Sequence, residues 1–369
     1  MKGYEFAIVG AGPAGLSAAI EAARAGVKEV AVIDEQVKPG GQLIKQTHKF
    51  FGGAEHKAKM RGIDIACQLA KESGSVELYL NTVVWGIFAH TLWLYSNGKI
   101  EELESKKILL ATGAMENPLA FPGWTLPGVM GAGAVQTMVN VWRVLPGRKV
   151  LMVGSGNIGL IVSYQLMQAG MKVVAILEIL PRIGGYQVHA SKITRLGVPI
   201  LTSHTLKEAK GNSKVEVATV CRVDSNYQPL PGTERDFETD AICIATGLSS
   251  LVELARMSGC EFMYVPELGG HIPVYDENME LTVPGIYVAG DIAGIEEAST
   301  AMVQGAMVGL AVAESLGYLS KDRYEELKKD KLKSLEVFEK GKFEFRRIAR
   351  EKLYARKGEK CLRNYLLPG

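Results

Sequence analysis

One glycine-rich turn occurs twice in this chain, each time in the same setting. Phe6-Ala7-Ile8-Val9 leads into Gly10-Ala11-Gly12-Pro13-Ala14-Gly15, and Val150-Leu151-Met152-Val153 leads into Gly154-Ser155-Gly156-Asn157-Ile158-Gly159. A segment of helical composition follows each turn. A second apolar run then ends on an acid, Asp34 in the first copy and Glu178 in the second. The third glycine stands 19 residues before the acid in both copies, and a Gly-Gly pair follows each acid at the same distance, Gly40-Gly41 and Gly184-Gly185. Both copies close on an apolar strand and Ala-Thr-Gly: Ala111-Thr112-Gly113 and Ala245-Thr246-Gly247. One Gly-x-Gly-x-x-Gly is weak evidence, because glycine-rich turns are common. Two copies in register, with matched acids, constrain the chain to two β-α-β units of the dinucleotide-binding kind.

The chemistry of such a turn follows from the helix it opens. A helix N-terminus exposes unpaired N–H groups and the positive end of its dipole, which suits a pyrophosphate. Gly10 and Gly12 allow a tight turn and close approach of the backbone, with Pro13 and Ala14 opening the helix, and Gly15 allows helix and strand to pack. Asp34 can accept hydrogen bonds from adenosine ribose hydroxyls. Glu35 is the alternative acceptor, and a solvated strand-end carboxylate is the plain one. In the second copy Gly154, Gly156, Asn157, Ile158 and Glu178 occupy the equivalent places. A carboxylate at Glu178 repels a 2′-phosphate and so favours NAD over NADP. Arg182 keeps NADP open, and a fold that binds no nicotinamide is the remaining alternative.

A length of 369 residues accommodates two domains with an appendage. Lys+Arg 42 against Asp+Glu 40 leaves no overall electrostatic case for nucleic acid. No apolar run reaches the roughly 18 residues of a membrane span, and the N-terminal apolar stretch is too short for a signal peptide. Cysteines at 67, 221, 243, 260 and 361 form no Cys-x-x-Cys, so neither a disulfide framework nor a zinc site is supported. The expectation is a reduced, cytoplasmic chain without a metal.

The late strand Gly285-Ile286-Tyr287-Val288-Ala289-Gly290-Asp291 and a small-residue helix from about Ala298 suggest a discontinuous first domain. The expected architecture is α/β: two Rossmann-like dinucleotide-binding domains, the second inserted in the first, with a helical C-terminal tail. The boundaries read as 1–117 with 272–320 for the first domain, 118–271 for the second and 321–369 for the tail. Alternation at Val76–Leu80 and Val215–Val220 suits small antiparallel sheets, and Asn97-Gly98 is a hairpin signal. The tail carries 16 Lys+Arg and 9 Asp+Glu. Tyr324, Leu327, Leu335 and Phe338 recur near helical spacing, as do Phe345 and Ile348, while Gly341 and Gly358 divide the segment. The readings of this tail are a solvated helix, a nucleic-acid contact, and a docking element for another polypeptide of a complex; the docking reading expects a folded protein when it is removed.

Together these residues resemble the flavoproteins with two dinucleotide-binding domains, the superfamily of thioredoxin and glutathione reductases. The carrying motifs are GAGPAG at 10–15, Gly40-Gly41-Gln42-Leu43, the two Ala-Thr-Gly strands and Thr282–Asp291. The resemblance implies FAD in the first domain and NAD(H) or another adenine nucleotide in the second. It implies Gly41, Gln42 and Leu43 in the flavin loop, Val84 against the adenine, and Ala111, Thr112 and Gly113 beside the cofactor, with Gly247 in the equivalent place of the second copy. It also puts Gly290 and Asp291 on the ribityl chain and the helix start at Ala298 towards the flavin. The chain departs from the reductases by lacking a cysteine pair. The segments Gly40–His48 and Ala111–Pro118, with Phe121–Trp124 and Leu126–Val129, are similar to the alpha-type subunits of heterotetrameric sarcosine oxidase, hydrogen cyanide synthase, opine oxidase and dye-linked proline dehydrogenase. That resemblance implies electron transfer alongside a beta-type flavoprotein subunit that oxidises an amino acid. Any iron–sulfur site would be on another polypeptide, since only Cys361 lies near the C-terminus. No catalytic residue is assigned. His48 is a candidate near the flavin or at an interface with a partner, or a plain surface residue; His189 and His271 read as structural. A stand-alone NADH-dependent reductase of a soluble acceptor such as ferredoxin, and a non-catalytic nucleotide-binding subunit, are the competing functions.

Overall fold

The computed structural model describes residues 2–339 and 344–366. They form two compact units, one of residues 1–44, 49–115 and 249–369, the other of residues 45–48 and 116–248.

In the first unit the strand Lys2–Val9 pairs in parallel with Val30–Ile33 on one side and Lys99–Leu110 on the other. Lys99–Leu110 gives its other edge to two partners. Thr91–Ser96 runs antiparallel along residues 99–104, and Ile286–Val288 runs parallel along residues 108–110. Its sequence shows the change: Lys99–Glu102 is exposed, whereas Ile108, Leu109 and Leu110 are fully buried, as befits a parallel strand covered on both faces. Val83–Phe88 completes the antiparallel part. Asn97 and Gly98 have φ of 51° and 77°, the paired positive values of a type I′ hairpin. The alternation at Val76–Leu80 is not part of an antiparallel sheet. Glu77–Tyr79 is the edge strand parallel to Val30–Ile33, and an edge strand alternates because one face meets solvent.

Helix Pro13–Arg24 packs on helix Ala298–Ser315 at backbone distance. A Cβ on Gly305 would lie 2.0 Å from the Ala14 carbonyl oxygen, and one on Gly309 2.5 Å from that of Ala18. Nearly every residue of Ala298–Ser315 is buried, so its small side chains reflect helix contacts, and Met302 and Met307 are core residues. Residues 249–271 also pack with this unit. Phe262–Val265 pairs with Gly270–Pro273, and Val265, Leu268 and Ile272 enter its core.

The tail belongs to the first unit as well. It forms helices Lys321–Glu339 and Glu344–Leu366. Tyr324 and Leu335 are buried against the chain's own first unit and Leu327 partly so, whereas Phe345 and Ile348 are exposed and the buried positions of the second helix are Ala349 and Leu353. Gly358 lies within the second helix and does not divide it. Gly341 and the side chains of Phe338 and Cys361 lie outside the described residues.

The second unit has a five-stranded parallel sheet in the order Ile200–Thr202, Lys172–Glu178, Lys149–Val153, Ala241–Ile244, Val129–Gly131. A three-stranded antiparallel sheet of His204–Lys210, Val217–Arg222 and Arg235–Glu238 packs beside it. The three inner strands are largely buried, which explains their continuous apolar sequence, whereas the edge strands Ile200–Thr202 and Val129–Gly131 are half-buried.

Candidate functional site

The three glycines of the first turn are there for different reasons. Gly10 has φ +110°, and a Cβ there would lie 2.3 Å from the Ala111 carbonyl oxygen. A Cβ on Gly15 would lie 1.9 Å from the Gly10 carbonyl oxygen. Both are required by the protein's own packing. Gly12 is not: its φ is −77°, and the nearest atom to its Cβ would be Gly41 Cα at 4.0 Å. Gly12 is also the N-cap of Pro13–Arg24 and has no side chain to occupy the helix's first N–H groups. The turn therefore leaves a helix N-terminus open at the one glycine that the fold does not need.

Neighbouring elements support it. The Gly40 N–H donates to the Ala11 carbonyl at 2.7 Å, and Gly41, with φ +51°, faces Gly12. Leu43 is fully buried and anchors this loop, whereas Gln42 is exposed. Asp34 accepts the Ala11 N–H at 2.5 Å and the Gln36 N–H at 2.7 Å. Each oxygen keeps a second lone pair for a hydroxyl. Burial lifts the Asp34 carboxyl above its ordinary value, against those two N–H groups. Glu35 is exposed, so Asp34 is the acid that meets the turn. Val84 is half-buried in the strand Val83–Phe88. The Ala111 carbonyl packs on Gly10, Thr112 Oγ1 donates to the Leu251 carbonyl at 2.6 Å, and Gly113 has φ +78°.

The second turn repeats this division. Gly154 has φ +110° and would place a Cβ 2.2 Å from the Ala245 carbonyl oxygen; Gly159 would place one 2.0 Å from the Gly154 carbonyl oxygen. Gly156, the N-cap of Asn157–Gln168, would meet nothing within 4 Å. The acid differs. Glu178 is 8% exposed, and it accepts the Ser155 hydroxyl at 2.6 Å, the Ser155 N–H at 3.1 Å and the Leu180 N–H at 3.0 Å. Asn157 Oδ1 takes the Tyr186 N–H at 2.8 Å, and Ser155 takes the Gly184 N–H at 3.0 Å, which fastens the second Gly-Gly loop over the turn. Ile158 is exposed, and Gly247, with φ +116°, accepts the Asn117 N–H at 3.0 Å. Spacing alone does not single out Ser155; its place beside Glu178 does.

A third set of residues in the first unit lies on the turn after Ile286–Val288. The Gly290 N–H donates to Gln304 Oε1 at 2.9 Å, and the Asp291 carbonyl accepts Ser250 Oγ at 2.6 Å. Asp291 Oδ1 takes the Glu296 N–H at 3.3 Å. Burial pushes the Asp291 carboxyl up to about 7, with Glu297 adding to the rise and Arg346 opposing it. Ala298 is the first residue of its helix, with Glu297 as N-cap. Thr300, in the first turn, is 1% exposed, and its hydroxyl has no hydrogen-bond partner among the described residues.

The remaining candidates are the cysteines and histidines. Cys67 is exposed, and Cys221, Cys243 and Cys260 are buried and free. Burial pushes all three buried thiols up, Cys260 to about 11. Among the described residues no cysteine pair is bonded, and no group of three or more His, Cys, Asp or Glu is placed to hold a metal ion. His48 is half-buried in the second unit; burial and then His189 and Lys192 push it down to about 4. His189 is buried, and His271 is exposed beside the Tyr264 ring. Among the described residues no helix is long and apolar enough to cross a membrane.

Two open glycine turns, each with an acid at the end of the following strand, define a protein with two dinucleotide-binding folds. The pyridine nucleotide-disulphide oxidoreductase family model matches residues 4–305, and the chain belongs to that family. It is an FAD- and pyridine-nucleotide-type oxidoreductase fold without a redox cysteine pair among the described residues. The chain is 27% identical to an opine oxidase subunit of Agrobacterium tumefaciens over 86% of its own length and 67% of that protein. It is 30% identical to the hydrogen cyanide synthase subunit HcnB of Pseudomonas aeruginosa, over 83% of its own length and 70% of that protein. Among solved structures it is similar to L-proline dehydrogenase from P. horikoshii, with a TM-score of 0.67 and 25% identity, covering 89% of this chain and 59% of that one. The chain thus spans between about three fifths and seven tenths of these three relatives.

Proposed function

We propose that this chain is an FAD-containing, alpha-type component of a multi-subunit dehydrogenase of amino or imino acids, acting in electron transfer. The observation that carries the reading is the contrast within each turn. Packing accounts for Gly10, Gly15, Gly154 and Gly159, and leaves Gly12 and Gly156 to be explained by a ligand. Gly12 and the N–H groups behind it would take the pyrophosphate of FAD, Asp34 its ribose, and Gly290 and Asp291 its ribityl chain. When bound, FAD supplies one- and two-electron redox chemistry; the chain's own residues bind it, orient it and exclude water. Gly156 and Glu178 would hold NAD(H) or another adenine nucleotide in the second unit. Support for a partner comes from the opine oxidase and hydrogen cyanide synthase relatives, both of which are subunits. The partner we infer is a beta-type flavoprotein that oxidises the amino acid, with an iron–sulfur protein as a further candidate.

The test is the anaerobic absorption spectrum of the purified chain, with and without NADH. Flavin bands that bleach only when a beta-type flavoprotein and its amino acid are added are the expected result. Bleaching by NADH alone would favour a self-contained NADH-dependent reductase, which the open Gly156 turn supports. A colourless protein carrying only an adenine nucleotide would overturn the FAD assignment and leave a nucleotide-binding role.

A further inference from the structure

The loop that carries Asp291 is acidic, although the cofactor proposed for this unit carries a negatively charged pyrophosphate. Asp291, Glu296 and Glu297 stand within seven positions, immediately before the N-terminus of helix Ala298–Ser315. Carboxylates there oppose a second anion by simple Coulomb repulsion, and they compete for the helix's own positive end. The charges that answer them come from the far end of the sequence. Arg346 pairs with Glu297 at 3.1 Å, and Arg350 pairs with Glu296, both on helix Glu344–Leu366. The Arg350–Glu296 pair is almost fully buried, with side chains 5% and 7% exposed. The positive charge of Arg346 also opposes the rise that burial imposes on the Asp291 carboxyl. One turn away, Ala349 and Leu353 are buried in the core of the same unit, so the helix is held on this face by packing as well as by charge.

We propose that the C-terminal helix is a positioning element of the first dinucleotide site: Arg346 and Arg350 neutralise Glu297 and Glu296 and so hold the Gly290–Glu297 turn in the form that accepts an anionic cofactor. The proposal rests on the reading of this unit as a dinucleotide site. It makes the basic tail part of that site and not a separate docking arm. It also couples the two: whatever binds at the turn stabilises the seated helix, and the seated helix favours binding to the same extent.

The experiment uses the full chain and FAD. Arg346→Met should weaken FAD at least tenfold, Arg346→Lys should stay within about threefold of the parent, and Arg346→Met with Glu297→Gln should recover most of the loss. Rescue by removing the carboxylate is the readout that a purely structural arginine would not give. Should Arg346→Met fold poorly, the unaltered chain still tests the coupling: saturating FAD should slow tryptic release of the C-terminal helix severalfold. Parental FAD affinity in Arg346→Met, no rescue in the double variant, or the same proteolysis rate with and without FAD would overturn the proposal. An unaltered chain that binds no FAD would instead refute the functional reading beneath it.

Discussion

Gly12→Ala separates what the first turn does for the fold from what it does for a ligand. At Gly12 the new Cβ would meet nothing nearer than Gly41 Cα at 4.0 Å, and φ of −77° is ordinary for alanine. Two small terms oppose each other. Alanine restricts the unfolded chain, which stabilises by about 0.4–1 kcal/mol, and it is a poorer N-cap than glycine, which costs up to about 1 kcal/mol. The net change in stability should lie within about 1 kcal/mol. At Gly15 the new Cβ would stand 1.9 Å from the Gly10 carbonyl oxygen. Backbone must move there, at a cost on the order of 3 kcal/mol or more. For a bound pyrophosphate the order reverses, because a methyl at Gly12 stands where the phosphate oxygens approach. A loss of about 1.4–3 kcal/mol is a 10- to 150-fold rise in Kd. Thermal unfolding of the flavin-free proteins and titration by flavin fluorescence measure the two quantities separately. Gly12→Ala with parental FAD affinity, or with the instability expected of Gly15→Ala, refutes the reasoning.

In the second unit, Glu178→Ala should weaken any NADH binding about tenfold by removing a charge-assisted acceptor, and should also lower that unit's stability, because three donors from Ser155 and Leu180 lose their acceptor; isothermal titration and a melting curve check both. Asp291 gives a pH signature in the flavin-free chain. Its folded value of about 7 lies above the unfolded one, so the folded state binds more protons between those values and loses stability as pH rises from about 4 to 7. The contribution is on the order of 2–4 kcal/mol, and Asp291→Asn should flatten the melting temperature over that window. Deleting residues 321–369 should leave an aggregating or poorly folded protein, because Tyr324, Leu335 and Leu353 each bury a side chain worth about 1.5–3 kcal/mol; a monodisperse, fully folded truncation would count against this. Replacing the cysteines with alanine should leave reduction of the bound flavin unchanged, and its loss would revive a dithiol relay.

The two glycine turns, their acids and the strands before them were legible in the sequence, because each depends on a few neighbouring residues. A positive φ demands glycine at position 10, a helix start follows at position 13, and a strand end carries Asp34. The hairpin at Asn97-Gly98 was legible for the same reason. Tertiary structure decided what spacing could not. It made Gly10 a packing residue and left Gly12 free, which depends on where the Ala111 carbonyl lands from a strand a hundred residues away. It turned the alternation at Val76–Leu80 into a parallel edge strand, because period two marks a strand with one wet face and says nothing of its partner's direction. It filled Glu178 with donors from Ser155 and Leu180. It also brought Arg346 and Arg350 to Glu297 and Glu296, about fifty residues apart in the chain. Local conformation is written in local sequence; the pairing of distant charges is set only when burial of Ala349 and Leu353 seats their helix on the core.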